Sequence, residues 1–248
     1  MSDTPEEMAR AIVDSVRRMA IHYGLWFANA VKEFGITEAL EMEREAGDRG
    51  GAIVMERLAA TLGGTMKDGL PAALVDMPAD RQKALQTALA VNWLVLDGVW
   101  FQAVEQKKGM TAAKLVNDTC WSHFSPLEAA RIREMAGLPA QGGLEALAQT
   151  FIHRLYGVIN EQEVFFEEDG ALVMRMTKCR VQTARKRKGL PDYPCKSGGV
   201  VEYTTFAETI DPRLSCECIA CPPDPHPEEW SCAWRFRLKP EVGAGRGE

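Results

Sequence analysis

The stretch Leu214-Ser-Cys-Glu-Cys-Ile-Ala-Cys221, continued after a proline-rich break by Ser231-Cys-Ala-Trp-Arg-Phe-Arg-Leu238, decides the fold. In its second half Cys232, Trp234, Phe236 and Leu238 alternate with Ser231, Ala233, Arg235 and Arg237, the period of two that belongs to a strand with one buried face. Its first half stops at Pro222-Pro223, residues that cannot donate to a ladder. Two strands are therefore predicted, with Cys232 on the core face. Working upstream, the run from Val164 to Met176 reads as two more strands joined at residues 167–170, where Asp169-Gly170 is a turn signal. Between the pairs, residues 180–188 form a short basic helix closed by Gly189 and Pro191. Residues 201–210 form a second crossover, although its Val-Glu-Tyr-Thr-Thr opening also suits a strand. Strand, strand, helix, strand, strand makes a small antiparallel sheet backed by helices, an α+β class.

The part before residue 161 reads as helix. Thr4-Pro5-Glu6-Glu7 supplies an N-cap, a first-turn proline and a capping-box acid, and apolar residues recur from Met8 to Phe34 before Gly35 ends the helix. A second short helix is predicted over 37–45, and a third between the Gly50-Gly51 and Gly63-Gly64 pairs. After Pro78 a helix is apolar nearly all round, with Leu85, Leu89, Trp93, Leu96 and Trp100 on one face, a pattern that predicts burial. Further helices are predicted over 125–136 and 144–160. The organisation read from the sequence is a helical cap over 1–160, a cysteine-rich module over 161–240 and a disordered tail over 241–248.

A chain of 248 residues with 46% apolar and 26% charged side chains can bury a core, which excludes intrinsic disorder and a short disulfide scaffold. Its net charge of -6 gives no reason to expect nucleic acid or an anionic membrane as partner. The N-terminus lacks the positive start and apolar stretch of a secretory signal, and the apolar window 89–101 is short of the roughly 20 residues a membrane span needs. A cytoplasmic protein is expected, with a small molecule as partner and a homodimer left open.

The seven cysteines carry the chemistry: none precedes Cys120, and six fall between Cys179 and Cys232. In a reducing compartment such a crowd points to a metal or catalytic site rather than to disulfides, and an odd total cannot pair completely. Cys218 and Cys221 have the spacing that brings two thiolates to one metal, Cys232 returns on the neighbouring strand, and Cys195 sits in a Pro- and Gly-rich loop. These four predict a zinc site or, as the alternative, an iron–sulfur cluster, with Cys179, Cys216 and His226 as spare ligands and soft thiolates excluding magnesium or calcium. Cys120 and Cys216 are expected to serve as small apolar packing residues.

Three stretches around these cysteines, the run from Cys179 to Gly189, Phe206-Ala-Glu-Thr-Ile-Asp-Pro212, and Cys218 to Pro227 with Cys232-Ala-Trp-Arg-Phe236, resemble a family of uncharacterised bacterial cytosolic proteins. Asn92 to Glu105 is similar to the same family. More distantly, the C-terminal module resembles L-2-amino-thiazoline-4-carboxylic acid hydrolase-like proteins, with Cys179, Cys195 and Cys232 at the matching cysteines, and the 4-vinyl reductase domain, with Cys195, Cys218, Cys221 and Cys232 at the zinc-holding positions. Both resemblances imply a pocket for a small organic molecule beside a sulfur-rich site.

On the basic helix, Gln182 and Arg185 share a face with Cys179 and are placed to hold a substrate carboxylate. Asp97 and Glu105 lie in the most apolar helix, where a covered carboxylate must be neutral or paired, here by an Arg from another helix. Three functions follow. The first is a metal-binding protein with a small-molecule pocket. The second is a hydrolase of a small cyclic amide or thiazoline carboxylate with Cys179 as nucleophile. The third is a non-catalytic ligand sensor.

Overall fold

The computed structural model describes residues 4–240, so the predicted 241–248 tail lies outside the described residues. The chain divides into two compact units, Met1–Val75 and Asp76–Glu248, and the helices that follow Pro78 belong to the same unit as the sheet.

In the first unit α1 (Pro5–Phe34) starts on the predicted cap: Thr4 and Glu7 close a reciprocal capping box and Pro5 sits in the first turn. Gly35, at φ +84°, reverses the chain into α2 (Ile36–Thr61), which packs back along α1. The predicted short second and third helices are this one continuous helix, because Gly50 and Gly51 keep helical backbone; each costs about 1 kcal/mol relative to Ala without forcing a break. A two-residue hairpin, β1 (Met66–Lys67) and β2 (Leu70–Pro71), turns on Asp68 and Gly69, both at positive φ, and leads into α3 (Ala72–Val75).

In the second unit α4 (Ala79–Lys108) and α5 (Met110–Met135) are joined by Gly109 alone, again at φ +84°. The helix predicted to begin at Ser125 is the second half of α5. Ser125 does not cap it but donates to the Glu202 carbonyl at 2.6 Å, and Pro126 is buried inside the helix. The predicted burial of α4 is corrected by the structure: of its residues only Ala90 is buried, while Leu89, Leu96 and Trp100 are exposed. By length and composition alone α4 would also be apolar enough to cross a membrane. The predicted 144–160 helix is broken into α6 (Gly143–Thr150), a single tight turn and α7 (Leu155–Ile159), with Arg154 extended between them.

The sheet is β3 (Glu161–Phe166), β4 (Leu172–Lys178), β5 (Leu214–Ala220) and β6 (Cys232–Leu238), antiparallel throughout in the order β3-β4-β6-β5. Helices α8 (Arg180–Arg187) and α9 (Lys196–Ile210) form the crossover, as expected for the first; the second is helix, and its opening is not a strand. Register puts Leu172 opposite Phe236, Met174 opposite Trp234 and Cys218 opposite Trp234, so one face of the sheet carries Met174, Trp234, Phe236 and Cys232. That face meets Tyr203, Phe206 and Ile210 of α9 and Leu147 and Phe151 of α6 and its following turn. Phe151 lies 5.6 Å from Phe236 and 6.1 Å from Phe206 between ring centres, and Tyr203 stacks on Trp234 at 4.7 Å. Each such ring, taken fully from water, contributes about 1.5–3 kcal/mol. Gly199 makes the closest approach possible, since a Cβ there would stand 2.6 Å from the Trp234 ring.

Candidate functional site

A cavity of about 440 Å³ opens where α4, α5, α8 and α9 meet the start of β6. Six aromatic residues, Phe101, Trp121, Tyr156, Tyr193, Tyr203 and Trp234, are among those that line it. So do four of the seven cysteines, Cys179, Cys195, Cys221 and Cys232.

Each thiol is delivered by a different element. Cys195 is the N-cap of α9, and its Sγ donates to the Tyr193 carbonyl and accepts from Gln182 Nε2, both at 3.3 Å. Cys232 opens β6 opposite Met176. Cys221 lies just beyond the end of β5, buried, and lines the same cavity as Cys195 and Cys232, the two thiols that act most strongly on its own. Those two thiols and burial push its pKa well above the ordinary thiol range. Cys179 is the N-cap of α8 beside Cys195 and Cys232; burial pushes its pKa up to about 12, against the pull of the backbone N–H groups of Gln182 and Val181. A cysteine nucleophile works as the thiolate and so calls for a lowered pKa, and burial moves Cys179 in the opposite direction.

The remaining predicted residues stand as follows. Cys218 is in the ladder opposite Trp234 and does not line the cavity; burial raises its pKa to about 11 while Lys196 lowers it. Cys216 is opposite Phe236 against the core, as a packing residue. Cys120, expected to pack, is exposed instead. His226 faces Asp192 at 3.1 Å and stacks on Trp230. Gln182 is buried with its amide engaged, donating to the Tyr193 carbonyl at 2.9 Å and accepting from the Tyr193 N–H at 2.9 Å. It therefore shapes the loop that presents Cys195. Arg185 lines the cavity, but its Nε donates to the Pro191 carbonyl at 2.6 Å. Asp97 also lines it, paired not with an Arg but with Asn117, whose Nδ2 donates at 3.3 Å; burial raises its pKa and the Lys114 charge lowers it.

Sequence reasoning missed the charged support behind the wall. Arg154, fully buried, donates from Nε to Glu128 at 2.9 Å and from Nη2 to Glu202 at 2.6 Å, with its guanidinium 4.4 Å from the Phe206 ring centre. Burial raises the pKa of Glu202 to about 7 against the pull of Arg154. No periodicity marks Arg154; an arginine between two apolar turns was the only signal.

By donor type the four cavity thiols suit a soft metal ion. As they stand, no group of three or more His, Cys, Asp or Glu among the described residues has the arrangement of a metal shell. What the fold and site define is an α+β protein with an aromatic cavity floored by thiols. The chain belongs to a family of unknown function (DUF6125), whose model matches residues 75–238, the span of the second unit through its last strand. No curated protein and no solved structure matches it.

Proposed function

We propose that the chain binds a small organic molecule in the aromatic cavity, over a floor of thiols that takes up a thiophilic metal ion, zinc first. The observation that carries this reading is the convergence of Cys179, Cys195, Cys221 and Cys232 on the wall of one cavity. Four thiols drawn from two helix N-caps, a strand end and a strand start to one cavity exceed what core packing asks of cysteine, and the set offers four sulfurs. The ligand set is therefore Cys179, Cys195, Cys221 and Cys232, with Cys218, on the ladder outside the cavity, replaced by Cys179. Binding would deprotonate the thiols and clamp the β5 end, the α9 start and β6 together. A closed shell of four thiolates makes the metal structural; three thiolates and a water would make it reactive. The resemblance to the 4-vinyl reductase domain read from the sequence also implies zinc beside a small-molecule pocket, but with Cys218 where this reading has Cys179. An iron–sulfur cluster on the same sulfurs is the alternative cargo, and a sensor without turnover needs nothing more than the cavity.

The experiment is elemental analysis with an absorption spectrum on protein purified anaerobically without chelator. About one zinc per chain is expected for one four-sulfur site. Protein that carries neither zinc nor iron, and takes up neither on titration, overturns the reading.

A second reading, a thiazoline-carboxylate type hydrolase with Cys179 as nucleophile, draws on one observation: Cys179 is the N-cap of α8 and lines the cavity. It predicts selective alkylation at Cys179 and loss of turnover in Cys179→Ala. Reactivity no greater than that of exposed Cys120 counts against it.

A further inference from the structure

Buried donors in folded proteins almost always find an acceptor, so a group of orphans around one cavity describes what the cavity is built to hold. Six buried side-chain polar atoms among the described residues have no hydrogen-bond partner, and three of them, Lys114 Nζ, Asn160 Nδ2 and Trp234 Nε1, belong to residues that line this cavity. All three are donors. Trp234 is 1% exposed, and its ring is fixed by Tyr203 on one side and by the close approach of Gly199. Asn160 is oriented by its own oxygen, which accepts the Arg180 N–H at 2.8 Å and leaves the amide nitrogen unengaged. Lys114 stands 5.0 Å from the Tyr193 ring centre and 3.5 Å from Asp118, close enough to feel that carboxylate without a hydrogen bond to it.

Among the described acids Asp118 reaches one of these donors, as an ion partner 3.5 Å from Lys114 Nζ, but none accepts a hydrogen bond from any of the three. Glu202 is held by Arg154 and Asp97 accepts from Asn117. With Glu202 offset by Arg154, the lining cations Lys114, Arg180, Arg185 and Lys188 face Asp97 and Glu105 and the Asp118 partner of Lys114, a small excess of positive charge. Trp121 and Tyr156 are stacked on each other, 5.7 Å between ring centres with an interplanar angle of 15°, and make one flat stretch of cavity wall against which a planar group can lie. We infer that the cavity takes a small planar organic acid, whose carboxylate and ring heteroatoms supply the acceptors that Lys114, Asn160 and Trp234 lack. The carboxylate contacts move from the Gln182 and Arg185 pair expected from sequence, whose amide and Nε are already spent, to these three side chains.

This inference rests on the reading of the cavity as a small-molecule site, and its test separates the two. A neutral fluorescent probe, N-phenyl-1-naphthylamine, is bound to the full chain and displaced with thiophene-2-carboxylate or with the isosteric neutral thiophene-2-carboxamide. The acid is expected to displace the probe at a concentration about tenfold or more below the amide, because the amide cannot offer an anionic pair of acceptors. The preference, measured as a ratio within each protein, should fall toward one in Lys114→Met and return in Lys114→Arg. Equal displacement by acid and amide, or a ratio unchanged in Lys114→Met, overturns the inference and leaves the cavity reading standing. Failure of the wild-type chain to bind the neutral probe overturns both.

Discussion

The backbone N–H of Lys196 donates to the carbonyl of Pro222 at 2.9 Å, and this one bond ties the residue after Cys195 to the residue after Cys221. The Lys196 ammonium adds a second tie, 2.8 Å from Asp224 Oδ2, while Asp224 also accepts from the Cys221 N–H at 3.5 Å. Both ion-pair partners are partly exposed, so water screens the pair and it adds little stability of its own. Asp224→Ala should leave the thermal midpoint nearly unchanged but hasten loss of bound zinc to a chelator, because the two loops that supply Cys195 and Cys221 are then less well held. A large drop in midpoint with unchanged zinc release would contradict this division of labour.

Arg154 is the cation between Glu128 and Glu202, with side chains 2% and 8% exposed on either side of the Glu202 contact. Removing it in Arg154→Met leaves two covered carboxylates without a counter-charge, a loss of about 3–5 kcal/mol by analogy with other broken buried pairs. Protonating the carboxylates relieves that, so the loss, measured by denaturant unfolding, should shrink from pH 8 to pH 5. In the intact protein the sign follows from a folded pKa raised to about 7 from 4.5: the stability Glu202 contributes is full below pH 4.5 and is lost as pH rises through 7. A destabilisation identical at both pH values would contradict the assignment.

Asp211, fully buried, gathers the α6 start to the end of α9: its carboxylate accepts from the Gly143 N–H at 3.0 Å and from the Arg213 side chain at 2.7 Å. The Arg213 hydrogen bond, then those of the Arg213 and Gly143 backbone N–H groups, hold its pKa down to about 2 against burial. The stability it contributes is therefore present above the ordinary 3.8 and disappears as pH falls through 2. Asp211→Asn should cost roughly 1–3 kcal/mol at pH 7. The gap to the wild type should narrow as the unfolding series is taken below pH 4, and a gap that widens there would be the contrary result.

Gly199→Ala places a methyl 2.6 Å from a Trp234 ring that is itself 1% exposed and stacked on Tyr203. Neither ring can withdraw without disturbing the core, so a loss of about 1–3 kcal/mol is expected. Because Trp234 lines the cavity, its fluorescence should shift as well. An unshifted spectrum with full stability would mean that the helix moves instead.

The alternation around Trp234 was enough to place Cys232 on the buried face, because a strand's period of two survives in a single sequence. The cysteine pair was legible only in part. A CxxC motif implies a tight turn, but Cys218 is held in the ladder opposite Trp234 and a register shift follows before Ala220, so the two thiols do not converge on one point. Cys179 joins the cavity through a crossover of two helices, a long-range placement that no local spacing encodes. For α4 the all-round apolar pattern shows that faces exist to be covered, not which ones are; the face bearing Asp97 and Phe101 lines the cavity while Trp100 stays exposed. Lys114 and Arg154 were unreadable for a related reason: a lone basic residue carries no period, and its meaning comes from the carboxylates and rings that tertiary packing brings to it.

The most direct measurement is a cadmium titration of the reduced chain, followed by the ultraviolet charge-transfer band that thiolate–cadmium bonds produce. The band should saturate at about one cadmium per chain, weaken in Cys179→Ser, Cys195→Ser, Cys221→Ser and Cys232→Ser, and keep its full height in Cys218→Ser. Absence of the band at stoichiometric cadmium, or a band lost in Cys218→Ser and unaffected in Cys221→Ser, would contradict the thiol floor as the site of binding.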